Sequence, residues 1–404
     1  MLMRLVYNIV LCIFGGYKAL TYFILRKQNR KDLYSRIRPK VPKSHMKPVI
    51  WLHGVSLGEI VALSALVPLI RKAYADAFIV VTTMTKTGKE QAKKCIVEAN
   101  AIQYLPFDIL WVIKPFVQKL HPKILILAEG EYWYNLIREV KKTGGSIVVV
   151  NGTMTEKSMK RYLFFAPFFY NLFLSIDHFC LQSERYMSRF LSLSIPPEKL
   201  VITGNLKFDV PFLSPKNYLP IQGSLNIREE DFIITLGSTH QREEALLLQA
   251  LLPLQQEHSD LKFLVVPRHP ERFVEVKKLV TRYPNAILID KMGVLPQCYQ
   301  ISNIAIVGGS FVKGVGGHNI FEPIKMGIPT LFGPFMHKQE DLTQLITSSG
   351  SGKMVCLEAL LPTLKSLLLD NQQLLDMKKK GKNFAQKVMG ASMQTWKEIR
   401  PLLN

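Results

Sequence analysis

The sequence predicts an α/β protein built as two doubly wound parallel sheets, each with its own core, and three observations carry that prediction. The 404 residues exceed what one hydrophobic core usually supports. Short β-branched apolar runs alternate with longer helical stretches, the pattern of a parallel sheet with helices on both faces. The alternation stops at a proline-punctuated stretch holding Pro211, Pro215 and Pro220, then starts again. With 48% hydrophobic and 21% charged residues, the chain is globular, neither disordered nor multispanning.

The first element is apolar. From Leu5 to Leu25 the chain reads LVYNIVLCIFGGYKALTYFIL, followed by RKQNRK. About 20 helical residues cross a bilayer, yet Asn8, Gly15, Gly16 and Lys18 weaken a spanning reading, and no small-residue cleavage site follows. The expectation is a monotopic or single-pass anchor facing the cytoplasm, with Arg26, Lys27, Arg30 and Lys31 at anionic headgroups. A buried domain helix is the alternative. Formal net charge is +21, and residues 1–47 hold eleven Lys or Arg against one acid, Asp32. Such an excess favours an anionic partner, whether nucleic acid, membrane or phosphorylated substrate, or is a solvated face. The five cysteines are widely spaced without a Cys-x-x-Cys pair, which fits reduced cytoplasm and no zinc site.

The elements then follow in order. Strands are expected at 49–52, 78–82, 123–128, 146–151 and 178–182, and after the prolines at 232–236, 261–266, 286–289, 303–308 and 329–332. The domain division is an anchor and basic flank over 1–31, a first domain over 32–209, a linker over 210–222, and a second domain with C-terminal helices over 223–404. Two doubly wound domains facing across a cleft is the economical arrangement, with ligands at the carboxyl ends of the strands.

Those ends carry the unusual residues. HGVSLGE after the first strand matches the nucleophile-elbow pattern at Ser56, but Glu59 opens a helix expected to run to about Lys72. A carboxylate there is favoured by the helix dipole and is a ready proton acceptor, or an ordinary helix-stabilising acid. At the end of strand 123–128, AEGEYWYN places Glu129 and Glu131 two apart, on one side of an extended segment. They suit an acid pair, a metal site or a substrate holder, with a structural ion pair as the alternative. Lys207, in TGNLKFD, suits a phosphate or carboxylate, with a surface salt bridge as the plain alternative. In the second domain, VVPRHPERF offers Arg268, His269 and Arg272 to anionic oxygens. The loop GGSFVKGVGGHNIFEPIKMG lets backbone approach a ligand, and a helix opening near Asn319 offers N–H groups to an anion. Glu322 is placed for ribose hydroxyls, and GSTH at 237–240 supplies further donors. Asp-x-Asp is absent.

Taken in sequence, HGVSLGE, TTMTKTGKE, Glu129-x-Glu131-x-Trp133-x-Asn135, TGNLKFD, GSTH, VPRHPERF and GGHNxxEP resemble the Kdo transferases of lipopolysaccharide assembly, over nearly the whole chain. These enzymes move 3-deoxy-D-manno-octulosonic acid from CMP-Kdo to a lipid A precursor. The resemblance implies a GT-B fold of two Rossmann-like domains, inverting transfer without a metal or other cofactor, and one or more Kdo residues added. It implies Glu59 as the base, and Glu129 and Lys207 as transition-state stabilisers. For CMP it implies Pro267 and Arg268, then Met292, Gly293 and Val294, then Asn319, Ile320, Phe321 and Glu322. The partners implied are CMP-Kdo, the lipid acceptor and the anionic inner membrane at its cytoplasmic face, with no nucleic acid. Another nucleotide-sugar transferase of the same fold acting on a membrane lipid is the alternative. Departures from the family pattern stand at Asn151-Gly152-Thr153, Trp133-Tyr134-Asn135, Val294 and Phe335, and they bear on the acceptor more than on the reaction.

Overall fold

The computed structural model describes residues 7–8, 27–43, 48–210, 225 and 227–403. The chain divides into two compact units, Met1–Pro211 with Met389–Asn404, and Phe212–Val388.

The first unit is a sheet of β1 (Val49–His53), β2 (Phe78–Thr83), β3 (Ala101–Tyr104), β4 (Ile124–Ala128), β5 (Ser146–Gly152), β6 (His178–Leu181) and β7 (Leu200–Ile202). Their order is β3-β2-β1-β4-β5-β6-β7, with every neighbouring pair parallel. Alternating residues of a strand point to opposite faces, so Val49 and Trp51 enter one core while Ile50 and Leu52 enter the other. Both cores are roofed by helices, which is why β1 is apolar throughout rather than alternating.

The second unit repeats the plan with β8 (Phe232–Thr239), β9 (Leu261–Pro267), β10 (Ala286–Leu288), β11 (Ile304–Val307), β12 (Thr330–Phe332) and β13 (Gly352–Met354). Their order is β10-β9-β8-β11-β12-β13, again all parallel. Each sheet therefore reverses its winding once, between β1 and β4 and between β8 and β11. Chain crossings diverge at such a point and leave a crevice at the strands' carboxyl ends.

The structure corrects several expectations. Residues 389–404 belong to the first unit, not the second: Ala391, Trp396, Ile399 and Leu403 fill one of its cores. The junction is polar and specific, since Asp209 accepts the N–H groups of Gly390 and Ser392 at 2.8 and 2.6 Å. The helix expected to reach Lys72 is two, Leu57–Ser64 and Val67–Ala73, the second started by Pro68, since proline suits a helix's first turn but not its interior. Among the described residues no helix is long and apolar enough to cross a membrane. Most of the expected anchor lies outside them. Tyr7 and Asn8 do not: the Tyr7 hydroxyl donates to Asp108 at 2.7 Å, and Asn8 Oδ1 accepts from Asn135 Nδ2 at 3.0 Å.

Candidate active site

In the first unit, β1 and β4 deliver their loops to the switch point. After β1, Ser56 caps the helix Leu57–Ser64, and Glu59 folds back to complete a capping box. Such a box satisfies helix N–H groups reciprocally. Glu59 Oε2 accepts from Val55 N–H at 2.7 Å, and Oε1 accepts from the Ser56 hydroxyl at 2.7 Å and Ser56 N–H at 3.2 Å. Glu59 is 7% exposed. Burial raises its carboxyl above the ordinary carboxylate value, against the pull of the hydrogen bonds from Ser56 and Val55. A carboxylate has about four lone-pair sites, so three bonds leave room for a substrate proton. The helix-stabilising role weighed from sequence is therefore present, and it orients the same group. Ser56 itself has ordinary extended dihedrals, φ −103° and ψ 167°, and gives its hydroxyl proton to Glu59; the strained turn of a nucleophile elbow is not formed.

After β4 the chain turns sharply at Glu129, which takes φ 58°. The expectation that Glu129 and Glu131 point the same way assumed extended backbone, and this left-handed residue breaks it. Glu129 Oε1 instead accepts from Lys207 Nζ at 2.8 Å and from Asn151 Nδ2 at 3.3 Å. Lys207 Nζ also lies 3.6 Å from where a side chain on Gly58 would begin, so the lysine lies against the residue preceding Glu59. A Cβ at Gly58 would meet the lysine at ordinary van der Waals distance. Burial, then the charge of Glu59, pushes the Glu131 carboxyl up to about 7.

Asn151 holds this arrangement and was missed as a functional residue. Fully buried at the end of β5 with φ 54°, it accepts Leu206 N–H at 2.9 Å while donating to Glu129. It thus fixes both partners of the ion pair. The signal was available, because an Asn-Gly pair at a strand end marks positive φ.

The second unit delivers β8, β9 and β11 to its own switch point. Three donors at the head of the glycine loop are already used: buried Glu243 accepts N–H groups of Gly309, Ser310 and Phe311 at 2.7, 3.2 and 2.9 Å, and that of His240 at 3.0 Å. Arg272 is likewise engaged, forking onto buried Glu244 at 2.7 and 3.0 Å. Arg268, by contrast, is exposed, and among the described residues no carboxylate lies within salt-bridge distance of it. Pro267 ends β9 opposite Thr239. Met292 is exposed, and Gly293, at φ 83°, makes the turn before Val294, which caps the helix Leu295–Gln300. The helix expected from Asn319 starts at Phe321, whose N–H is accepted by Asn319 Oδ1 at 3.1 Å; Ile320 is its buried cap. Burial pushes Glu322 up to about 7, against the pull of Arg268 and Lys325. Among the described residues no group of three or more His, Cys, Asp or Glu is arranged to hold a metal ion.

Residues 28–210 match the family described as 3-Deoxy-D-manno-octulosonic-acid transferase (kdotransferase). The 3-deoxy-D-manno-octulosonic acid transferase of Chlamydophila psittaci is 32% identical over 380 residues, covering 90% of this chain and 87% of that protein. That of Haemophilus influenzae is 33% identical, covering 70% of each. Among solved structures, UDP-GlcNAc 2-epimerase from Neisseria meningitidis superposes with TM-score 0.61 at 13% identity, over 86% of this chain and 99% of that one. A glycosyltransferase from Rickettsia africae gives 0.56 at 16% identity, over 88% and 98%. At those identities the structures show the fold alone, the two Rossmann-like units of GT-B proteins.

Proposed function

We infer the reaction from one premise, that the chain belongs to the 3-deoxy-D-manno-octulosonic acid (Kdo) transferase family and is a glycosyltransferase. The proposed reaction moves Kdo from CMP-Kdo to a hydroxyl of a lipid A precursor, with inversion at the anomeric carbon. Glu59 takes the acceptor proton as the hydroxyl attacks, a role that needs a positioned carboxylate of raised pKa. Lys207, held by Glu129, stabilises charge that grows in the transition state. Pro267, Arg268, the segment Met292 to Val294 and the segment Asn319 to Glu322 hold CMP. CMP leaves as an anion, and fixed positive charge serves it without a metal.

The observation that carries this reading is the meeting of Glu59, Glu129 and Lys207 at the β1/β4 switch point, from three separate stretches of chain. Support for a membrane acceptor comes from the same unit. Leu163, Phe164 and Phe165 are exposed at the junction of the helices Glu156–Phe164 and Ala166–Leu174, and Lys157, Lys160 and Arg161 are exposed just before them. Aromatic tips beside basic residues suit an anionic lipid surface. Tyr7, from the apolar N-terminal stretch of the sequence, stacks on Phe168 of the second helix, 5.7 Å between centroids.

The test is mass spectrometry of the lipid after incubation with a tetraacyl lipid A precursor and a supply of CMP-Kdo. Mass increments of one or more Kdo residues are expected and count the sugars added. An unchanged lipid, with CMP failing to bind where UDP does, contradicts the reading in favour of another nucleotide-sugar transferase.

A further inference from the structure

The second unit contains an imidazole cluster that the proposed reaction does not use. His240 follows β8, His269 follows β9, and His318 follows the pair Gly316 and Gly317. Nε2 of His240 and Nε2 of His318 lie 2.7 Å apart, with the ring planes 12° from parallel and 4.9 Å between centroids. The ring of His269 stands edge-on to His240 at 5.0 Å. Two nitrogens on one tetrahedral zinc, each about 2.0 Å from it, stand about 3.3 Å apart. A separation of 2.7 Å is a direct hydrogen bond, and it holds one proton between two nitrogens, one ring donating and the other accepting.

The surroundings of this bond are cationic. Arg268 and Lys338 act on both rings and Arg272 on His240, and Arg268 N–H donates to Thr239 O at 3.0 Å, which ties β9 to the residue before His240. The neighbouring acids are occupied: Glu243 by four N–H groups, Glu244 by Arg272, and Glu271 near His269 Nδ1 at 3.5 Å. Thr239 Oγ1 is buried and has no hydrogen-bond partner among the described residues, beside the cluster. His318 packs on the glycine loop so closely that a side chain at Gly309 would strike it at 2.8 Å. Burial first, then the neighbouring rings and cations, holds His240 and His318 down to about 4. At neutral pH the pair is uncharged and shares its single Nε2 proton.

We propose that the His240–His318 bond is a proton-linked clamp for the phosphoryl group of the donor nucleotide: it opens when the phosphate arrives, both Nε2 atoms donate to phosphoryl oxygens, and one proton is taken from solvent. A phosphate dianion offers acceptors only. The closed pair has one Nε2 proton. For both rings to donate, the accepting nitrogen takes a second from solvent while Nδ1 of that ring keeps its own, and the ring becomes an imidazolium, whereas a shift of the Nδ1 proton to Nε2 would give two neutral donors and no uptake. An imidazolium among cations is disfavoured until a counter-charge comes, and the phosphate supplies it. The proton balance is simple: one proton leaves water and rests on the nitrogen that had accepted, and no covalent bond changes. This clamp rests on the reading of the second unit as the nucleotide-binding one.

The experiment is calorimetric titration of CMP into the full chain at pH 7, in buffers of different ionisation enthalpy, with cytidine as the phosphate-free control. CMP is mostly dianionic there, since its second phosphate pKa is about 6. Uptake of about half a proton or more per CMP is expected, and none with cytidine. His240→Gln and His318→Gln each abolish uptake and weaken CMP roughly tenfold, the loss of one charged hydrogen bond, with melting temperature at pH 7 kept. CMP binding without proton uptake, or uptake unchanged in both variants, overturns the clamp while the nucleotide reading stands. Absence of CMP binding overturns both.

Discussion

The two units are built on one plan and present opposite chemistry. Both sheets wind outward from a central pair, β1 with β4 and β8 with β11, and both gather their polar residues where that pair ends. In the first unit the gathered groups are acids, Glu59, Glu129 and Glu131, with one lysine among them. In the second they are imidazoles and a guanidinium, His240, His269, His318 and Arg268, while its most buried acid, Glu243, is consumed by backbone N–H groups. The strands set where the loops end, and a few loop residues decide whether the place suits a proton donor to be activated or an anion to be held.

The contrast is broken most severely at its one exception, the lysine among acids. Lys207→Ala is expected to lower the transfer rate about a hundredfold, the scale of removing one transition-state donor, with little change in donor KM. A variant that loses only donor affinity would move Lys207 to the nucleotide's account. In the second unit, two arginines four residues apart separate structure from function. Arg272→Ala leaves Glu244 buried without its partner and costs roughly 3 kcal/mol of stability, seen as a lower melting temperature. Arg268→Ala leaves melting unchanged and weakens CMP about tenfold, as losing one charged contact does. Interchanged outcomes would contradict the assignment.

Acid should act on the two units' groups with opposite sign. His318 is held down to about 4 from 6.5, so the unfolded chain binds more protons between those values, and its contribution to stability is lost as pH falls through 6.5. Glu131 is pushed up to about 7 from 4.5. Its folded form binds more protons in that window, and its contribution is full below 4.5 and lost as pH rises through 7. Relative to the native chain, His318→Gln should therefore gain in melting temperature from pH 7.5 to 5, and Glu131→Gln should fall behind. Parallel shifts would refute the opposition. The smallest expected effect is kinetic: with its carboxyl held up to about 7, Glu131 is already uncharged on the acidic limb of the pH–rate profile, so Glu131→Gln leaves that limb within a few tenths of a unit of native.

Much of this contrast was legible in the sequence, for reasons particular residues make plain. Central strands such as VIWL and LKFLVV are apolar on both faces and announce themselves. AIQY, LVI and GKM, which form β3, β7 and β13, are short and sit toward the sheet margins, and nothing in their pattern separates them from loops. The return of Ala391–Ile399 to the first unit was not readable, because an amphipathic helix does not say which core it covers. Glu59 was found by its position after a strand, and the same Ser-x-x-Glu spacing also encoded its capping box. Glu243 was hidden: an acid in the first turn of a helix is commonplace, and its contacts with Gly309 to Phe311 lie more than sixty positions away. Local pattern finds the groups that end strands; it does not find the groups that hold loops from a distance.

The central claim is that the buried acid of the first unit takes the acceptor's proton while the second unit binds the nucleotide by itself. Glu59→Gln keeps the size and one acceptor oxygen of the capping side chain and removes the base. Measured together on that variant, transfer to the lipid acceptor should fall by at least about a thousandfold, within the range of general-base loss, while the CMP dissociation constant stays within twofold of native. Substantial transfer by Glu59→Gln, or loss of CMP binding alongside transfer, would contradict the account.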